Sequence, residues 1–190
     1  NLEAILSLPK GTEHFLSDLH GEVNAFEHVL RNASGVIRRK ADEQFGDTLT
    51  DQEKRELCAL IYYPEERLAI IHQENRNLKE WYPTMLRRTI EIARAVSSKY
   101  TRSKVRKQLP QEFAYIIEEL MHQDTIEDDK EQYYNAIIQT IIDTNRSDEF
   151  LIAICNLIHR LTIDILHIVG DIYDRGPGAC HIMETLSHLH

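Results

Sequence analysis

From Thr50 to about Leu161, apolar residues recur at three- and four-residue spacing almost without a break, which makes the bulk of the chain helical. Thr50 and Glu53 fit a capping box opening a helix through Leu57, Leu60 and Ile61. Pro64 starts a second helix, carrying Leu68 and Ile71. A third runs through Trp81, Met85, Leu86, Ile90, Ala93 and Val96. Pro110 is placed in the first turn of the next, with Phe113, Ile116, Ile117, Leu120 and Met121 on one face. The acidic stretch Asp124 to Glu131 separates it from Tyr134, Ile137, Ile138, Ile141 and Ile142. The last helix of the set uses Phe150, Leu151, Ile154, Leu157, Ile158 and Leu161. These stripes are wide enough to bury against one another, and no fixed period marks a solenoid.

Strand-turn-helix patterns flank this block. Glu13 to Gly21 reads as a short strand followed by a polar turn, and Glu22 to Arg31 as a helix with Val23, Phe26, Val29 and Leu30 at helical spacing. Ser34 to Gly46, with two glycines and the run Arg38-Arg39-Lys40, reads as a loop or poorly ordered connector. Beyond the block, Ile165, Leu166, Ile168 and Val169 form an apolar run of strand length ending in Gly170-Asp171. Gly176 and Pro177 then force a turn, and a helix follows from roughly Ala179 to Leu189. The expected fold is α/β: an incomplete sheet of few strands with a large all-α insertion, mostly helical overall. Its parts are residues 1–46, 47–161 and 162–190. Two strands do not make a stable sheet alone. The chain also lacks an initiator Met and stops at His190 within a helical pattern, so a piece of a longer protein is expected.

Composition limits the partners. With 22 Lys plus Arg against 31 Asp plus Glu, the net charge of −9 disfavours nucleic acid and anionic membrane surfaces. No stretch approaches the roughly 20 apolar residues that span a bilayer. The start, Asn1 to Pro9, is too acidic and too short in apolar run for a signal peptide. Cys58, Cys155 and Cys180 are far apart and form no C-x-x-C, which fits reduced thiols in a cytoplasmic protein.

Asp18-x-His20 and Asp171-x-x-Asp174-Arg175-Gly176 carry the chemistry. Each follows a strand and precedes a helix, so both belong at the carboxyl edge of a sheet, where open α/β folds bind ligands. An Asp and a His two residues apart at a strand end can meet one divalent ion, and Asp171 could lie between two. Mixed oxygen and nitrogen ligation suits Mn²⁺, Fe or Zn²⁺ better than Ca²⁺ or Mg²⁺. Two ions about 4 Å apart activate a bridging water for attack on phosphorus. Arg175 offers a planar fork to phosphate oxygens. Asp174 fits the role of orienting a histidine ligand or a water. Either motif alone is usually a surface turn; together they point to one site.

The run Lys99, Arg102, Lys104, Arg106 and Lys107 is local positive charge in an acidic chain, most simply a solvated face. The sharper reading makes Arg102, Lys104 and Arg106 the grip on a second phosphate or an anionic effector. His167 reads as a packed or hydrogen-bonded strand residue, and Trp81, Tyr62-Tyr63 and Tyr133-Tyr134 as core or interface aromatics.

Ser17-Asp-Leu-His-Gly21 and Gly170-Asp-Ile-Tyr-Asp-Arg-Gly-Pro177 resemble the first two signatures of the calcineurin-like metallophosphoesterases. More narrowly, residues 1–15, Tyr62-Tyr-Pro-Glu-Glu66 and residues 97–107 resemble the class III fructose-1,6-bisphosphatases of Firmicutes and related bacteria. The similarity covers essentially the whole chain, helical insert included. The resemblance implies a dinuclear Mn²⁺ centre, with Asp18 and His20 on the first metal and Asp171 bridging. It also implies Arg175 on the scissile phosphate and Asp174 supporting a catalytic histidine. The implied reaction is metal-dependent hydrolysis of a phosphorylated sugar, fructose 1,6-bisphosphate, to fructose 6-phosphate and phosphate in gluconeogenesis. The alternatives are a calcineurin-like phosphoesterase for phosphoproteins or dinucleoside polyphosphates, and a non-catalytic helical interaction domain. The superfamily's third motif, Gly-Asn-His, is absent, and His181, His188 and His190 match none of its later ligands. The chain alone is therefore expected to bind at most one metal weakly and to be inactive. Oligomeric state is not legible.

Overall fold

Two short strands from opposite ends of the chain, β1 (Glu13–Leu16) and β2 (Ile165–Ile168), lie side by side and parallel. The register pairs Glu13 with Ile165, His14 with Leu166, Phe15 with His167 and Leu16 with Ile168. Parallel neighbours need a crossover connection, and here a whole helical block supplies it. After β1 come α1 (Val23–Asn32), α2 (Val36–Phe45), α3 (Asp51–Tyr62), α4 (Pro64–Gln73), α5 (Leu78–Ser97), α6 (Arg102–Gln108), α7 (Ala114–His122), α8 (Asp128–Asp143) and α9 (Ser147–Thr162). After β2, α10 (Ala179–Ser187) closes the order. The structure, a computed structural model, describes residues 11–74, 77–122 and 128–188. The readings made for Asn1 to Pro9, for most of the Asp124 to Glu131 stretch and for His190 lie outside the described residues. No described helix is long and apolar enough to cross a membrane.

Among the described residues, two apolar cores follow from this order. The large one lies within the helical block and includes the fully buried Leu57, Ile61, Leu86, Ile90, Phe150 and Ile154. The small one, Leu19, Phe26 and Ile182, is flanked by Leu16, Leu166 and Ile168. It glues α1 and α10 to one face of the strand pair. Strand alternation puts Phe15 and His167 on the other face, where their rings stack with centroids 4.4 Å apart. His167 also bonds Glu13 at 3.0 Å, as a hydrogen-bonded strand histidine should.

Local chemistry accounts for several helix starts. Thr50 and Glu53 form the reciprocal capping box of α3, and Pro64 occupies the first turn of α4. The segment from Ser34 to Gly46 is not the expected loop: it forms a 3₁₀ turn followed by α2. Its apolar stripe is narrow, only Ile37, Ala41 and Phe45 at four-residue spacing, yet all three enter the large core. Gly35 and Gly46 bound this helix rather than break it. Pro110 also differs from expectation. Its carbonyl accepts the Phe113 N–H at 3.1 Å in a turn ahead of α7, so it lies before the helix rather than in its first turn. Among the aromatic residues, Tyr134 is core, whereas Tyr133 is 47% exposed.

A buried carboxylate ties the block to the sheet. Asp164, just before β2, accepts the Thr12 N–H at 2.7 Å, Lys99 Nζ at 2.9 Å and Lys104 Nζ at 2.7 Å. The strands therefore meet in a fixed register at their amino edge, which aligns the loops leaving their carboxyl edge.

Candidate functional site

The two loops that leave the carboxyl edge of the strands are bonded to each other through their backbones. Val169 N–H still donates to the Leu16 carbonyl at 2.9 Å, extending the strand pair. Beyond it, the Leu19 and His20 N–H groups both donate to the Asp171 carbonyl, at 2.7 and 3.0 Å. In return Gly176 N–H donates to the His20 carbonyl at 2.6 Å, and Gly178 N–H to the Gly21 carbonyl at 3.1 Å. α1 and α10 both begin where these loops end, so two helix amino termini add partial positive charge at this edge.

Four of the expected side chains converge here. His20 Nδ1–H donates to Asp174 Oδ1, and donor atoms of His20, Asp171 and Asp174 all lie within 4.8 Å of one another. That hydrogen bond, with the charges of His20 and Arg175, holds the Asp174 carboxyl below the usual carboxylate range. Arg175 Nε lies 3.5 Å from Asp174 Oδ2, and its side chain is 74% exposed, open to an incoming anion. One imidazole among carboxylates is a donor set that suits a divalent ion of the Mn²⁺, Fe or Zn²⁺ kind.

Asp18 sits beside this group rather than in it. Its Oδ1 accepts the Asp171 N–H at 3.2 Å, so its carboxylate faces the second loop's backbone. The expectation that Asp18 and His20 project together assumed extended backbone at both. His20 instead adopts a left-handed conformation, φ 48°, which swings its ring toward Asp174. A groove of about 320 Å³ opens beside Asp18 and His20, between β1 and the Ala25, Phe26 and Val29 face of α1.

The basic run is elsewhere. Lys99 and Lys104 are bonded to Asp164 at the amino edge of β2, and Arg106 pairs with Glu118 at 2.8 Å. Arg102 is exposed two positions before Lys104 on α6. Asp164 and Asp171 are separated by the length of a strand at about 3.3 Å per residue, so the structure does not bring Arg102, Lys104 and Arg106 to the strand-end loops. His181, in the first turn of α10, bonds Glu27 on α1 at 3.0 Å. Sequence reasoning missed Asp164, whose signal was a lone acid at a strand start. Cys58 and Cys155 are buried thiols, Cys180 is exposed, and all three are free.

Over residues 1–190 the chain matches the family described as Firmicute fructose-1,6-bisphosphatase. It is 61% identical over 190 residues to the class 3 fructose-1,6-bisphosphatase of Bacteroides thetaiotaomicron. The corresponding proteins of Parabacteroides distasonis and Clostridium botulinum (strain Loch Maree) are 62% and 60% identical over 190 residues. All of this chain is covered in each comparison, but it spans only 28–29% of the length of these relatives. No solved structure matches the chain.

Proposed function

Because the chain belongs to the Firmicute fructose-1,6-bisphosphatase family, we propose that the full-length protein carrying it is a metal-dependent sugar-phosphate phosphatase acting on fructose 1,6-bisphosphate. The observation that carries this reading is the convergence of His20, Asp171, Asp174 and Arg175 on two latched loops at one sheet edge. The strand pair and its loops would form the start of a metallophosphoesterase core, with the helical block as its insert. Mn²⁺ is the proposed ion, in a dinuclear centre, and its chemistry there would be to lower the pKa of a bound water and draw off phosphate charge.

In this reading His20, Asp171 and Asp18 would hold the metal. Asp174 accepts the Nδ1 proton of His20, which fixes the tautomer and leaves Nε2 with its lone pair free. Arg175 binds the phosphate undergoing transfer and balances charge that grows on its oxygens. The free thiols fit the proposed cytoplasmic location.

The substrate is tested by assaying the full-length protein with Mn²⁺ on fructose 1,6-bisphosphate and on a phosphopeptide. The sugar ester is expected to have a kcat/KM at least about tenfold higher; the reverse preference would mark a phosphoprotein phosphatase instead. Asp174 is tested separately. Asp174→Asn is expected to weaken Mn²⁺ binding about 10- to 100-fold, the usual consequence of losing a group that orients a histidine ligand. Unchanged affinity by calorimetry would remove Asp174 from that role.

A further inference from the structure

Gly21 and Gly170 are two of the glycines that stand where the loops touch, and neither contact leaves room for a side chain. A Cβ on Gly170 would collide with Asp18 Oδ1 and sit 2.8 Å from the Asp18 amide nitrogen. A Cβ on Gly21, at φ +71°, would collide with the Gly176 carbonyl oxygen and sit 2.7 Å from its carbonyl carbon. The backbone bonds described above pass through these close approaches. Leu19 and His20 reach the Asp171 carbonyl, Gly176 reaches the His20 carbonyl, and Asp171 N–H reaches the Asp18 carboxylate. Left-handed backbone at His20 and Arg175, φ 48° and 74°, is the conformation these bonds hold in place.

We propose that the loops are latched to each other before any metal binds, and that Gly170 is a positioning residue setting the Asp18 carboxylate against Asp171. This rests on the proposed metal centre and adds how its two halves are aligned. The 3.2 Å bond from Asp171 N–H to Asp18 Oδ1 exists because Gly170 presents only hydrogens to that carboxylate. Any larger residue at position 170 moves Asp18 outward, and the two aspartates then cannot share a centre. The carboxylates are thus aligned by backbone geometry, and the ion meets ligands already placed.

Two measurements on the full-length protein test this. In chelator-treated wild type, the amides of Leu19, His20, Asp171 and Gly176 are expected to exchange about a hundredfold slower than unstructured amides. Free exchange there would show that no latch exists without metal. Calorimetry then compares Mn²⁺ binding by wild type, Gly170→Ala, Asp18→Ala and the double variant. Gly170→Ala is expected to weaken binding about tenfold or more, while adding it to Asp18→Ala changes affinity by less than about twofold. Unchanged affinity in Gly170→Ala, or full additivity in the double variant, overturns the positioning role. A melting point for chelated Gly170→Ala well below wild type would also overturn it, by making the glycine a fold requirement. Wild type that binds no Mn²⁺ would instead sink the metal centre, a separate outcome.

Discussion

Asp164→Ala is expected to cost the chain about 3 kcal/mol of stability, measured as the shift in urea midpoint, because it strands buried charge. The Asp164 side chain is 8% exposed and that of Lys99 17%, so this pair is largely removed from water. Lys99 also donates to Thr12 Oγ1 at 2.6 Å and to the Thr162 carbonyl at 3.3 Å, and cannot swing away without losing both. Removing the carboxylate leaves this ammonium and the Thr12 N–H without their main acceptor. Lys104 is different: its side chain is 51% exposed, so Lys104→Ala is expected to cost less than about 1 kcal/mol. A loss of under about 1 kcal/mol in Asp164→Ala would show that water replaces the carboxylate freely.

The pH behaviour of Asp164 follows from the same contacts. Burial pushes its carboxyl up, but bonds from Lys104, Tyr100, Lys99 and the Thr12 N–H outweigh this and hold it well below the usual range. A depressed folded-state pKa means the contribution is complete above the unfolded value of about 4 and fades only as pH falls further. Asp164 therefore acts as a constant clamp near neutral pH. The helical block stays seated on the strand pair, and the register that aligns the two loops persists.

What could be read from the chain divides along the range of the interactions involved. The α3 capping box was legible because Thr50 and Glu53 satisfy each other within one turn, Thr50 N–H to Glu53 Oε2 at 2.9 Å. β2 was legible as an apolar run stopped by turn residues, and β1 as a short stretch ahead of a polar turn. α2 was not, because its three core residues are outnumbered by charges that merely face water. The candidate site shows the same division. Asp18, His20, Asp171, Asp174 and Arg175 announce themselves by type and spacing at strand ends. The departure of Asp18 from the His20 group was not readable, because it depends on a left-handed residue held by a bond from Gly176. Asp164 was missed for the same reason: Thr12, its backbone partner, is 152 positions away.

Acid should loosen the helical block well before it reaches the carboxylates, with His159 on α9 as the main cause. Burial lowers its pKa to about 4, the nearby Arg31 pushes the same way, and a hydrogen bond to the Ile61 backbone only partly opposes them. Its Nε2 is buried without a partner, so a proton there would have nothing to bond. Since the folded pKa lies below the unfolded value of about 6.5, the unfolded chain binds more protons between those limits. Stability is complete above about pH 6.5 and falls as pH drops toward 4, by about 2.5 kcal/mol at about pH 4.5. His14, 6% exposed and bonded to Ser34 Oγ at 3.1 Å, is lowered by burial, then Lys99 and Arg39, and adds in the same direction. Urea midpoints followed from about pH 7 to 4.5 should therefore fall steeply in the parent and less so in His159→Leu. Parallel curves would show that His159 carries no linkage. The same loosening should reach the site loops by one route. Arg31, the cation facing His159, is the α1 residue that also reaches the Tyr62 carbonyl at 3.5 Å and Glu66 at 3.7 Å. Protonating His159 sets two cations against each other there. α1, whose first turn follows His20 and Gly21, should then lose amide protection ahead of α5 and the rest of the large core.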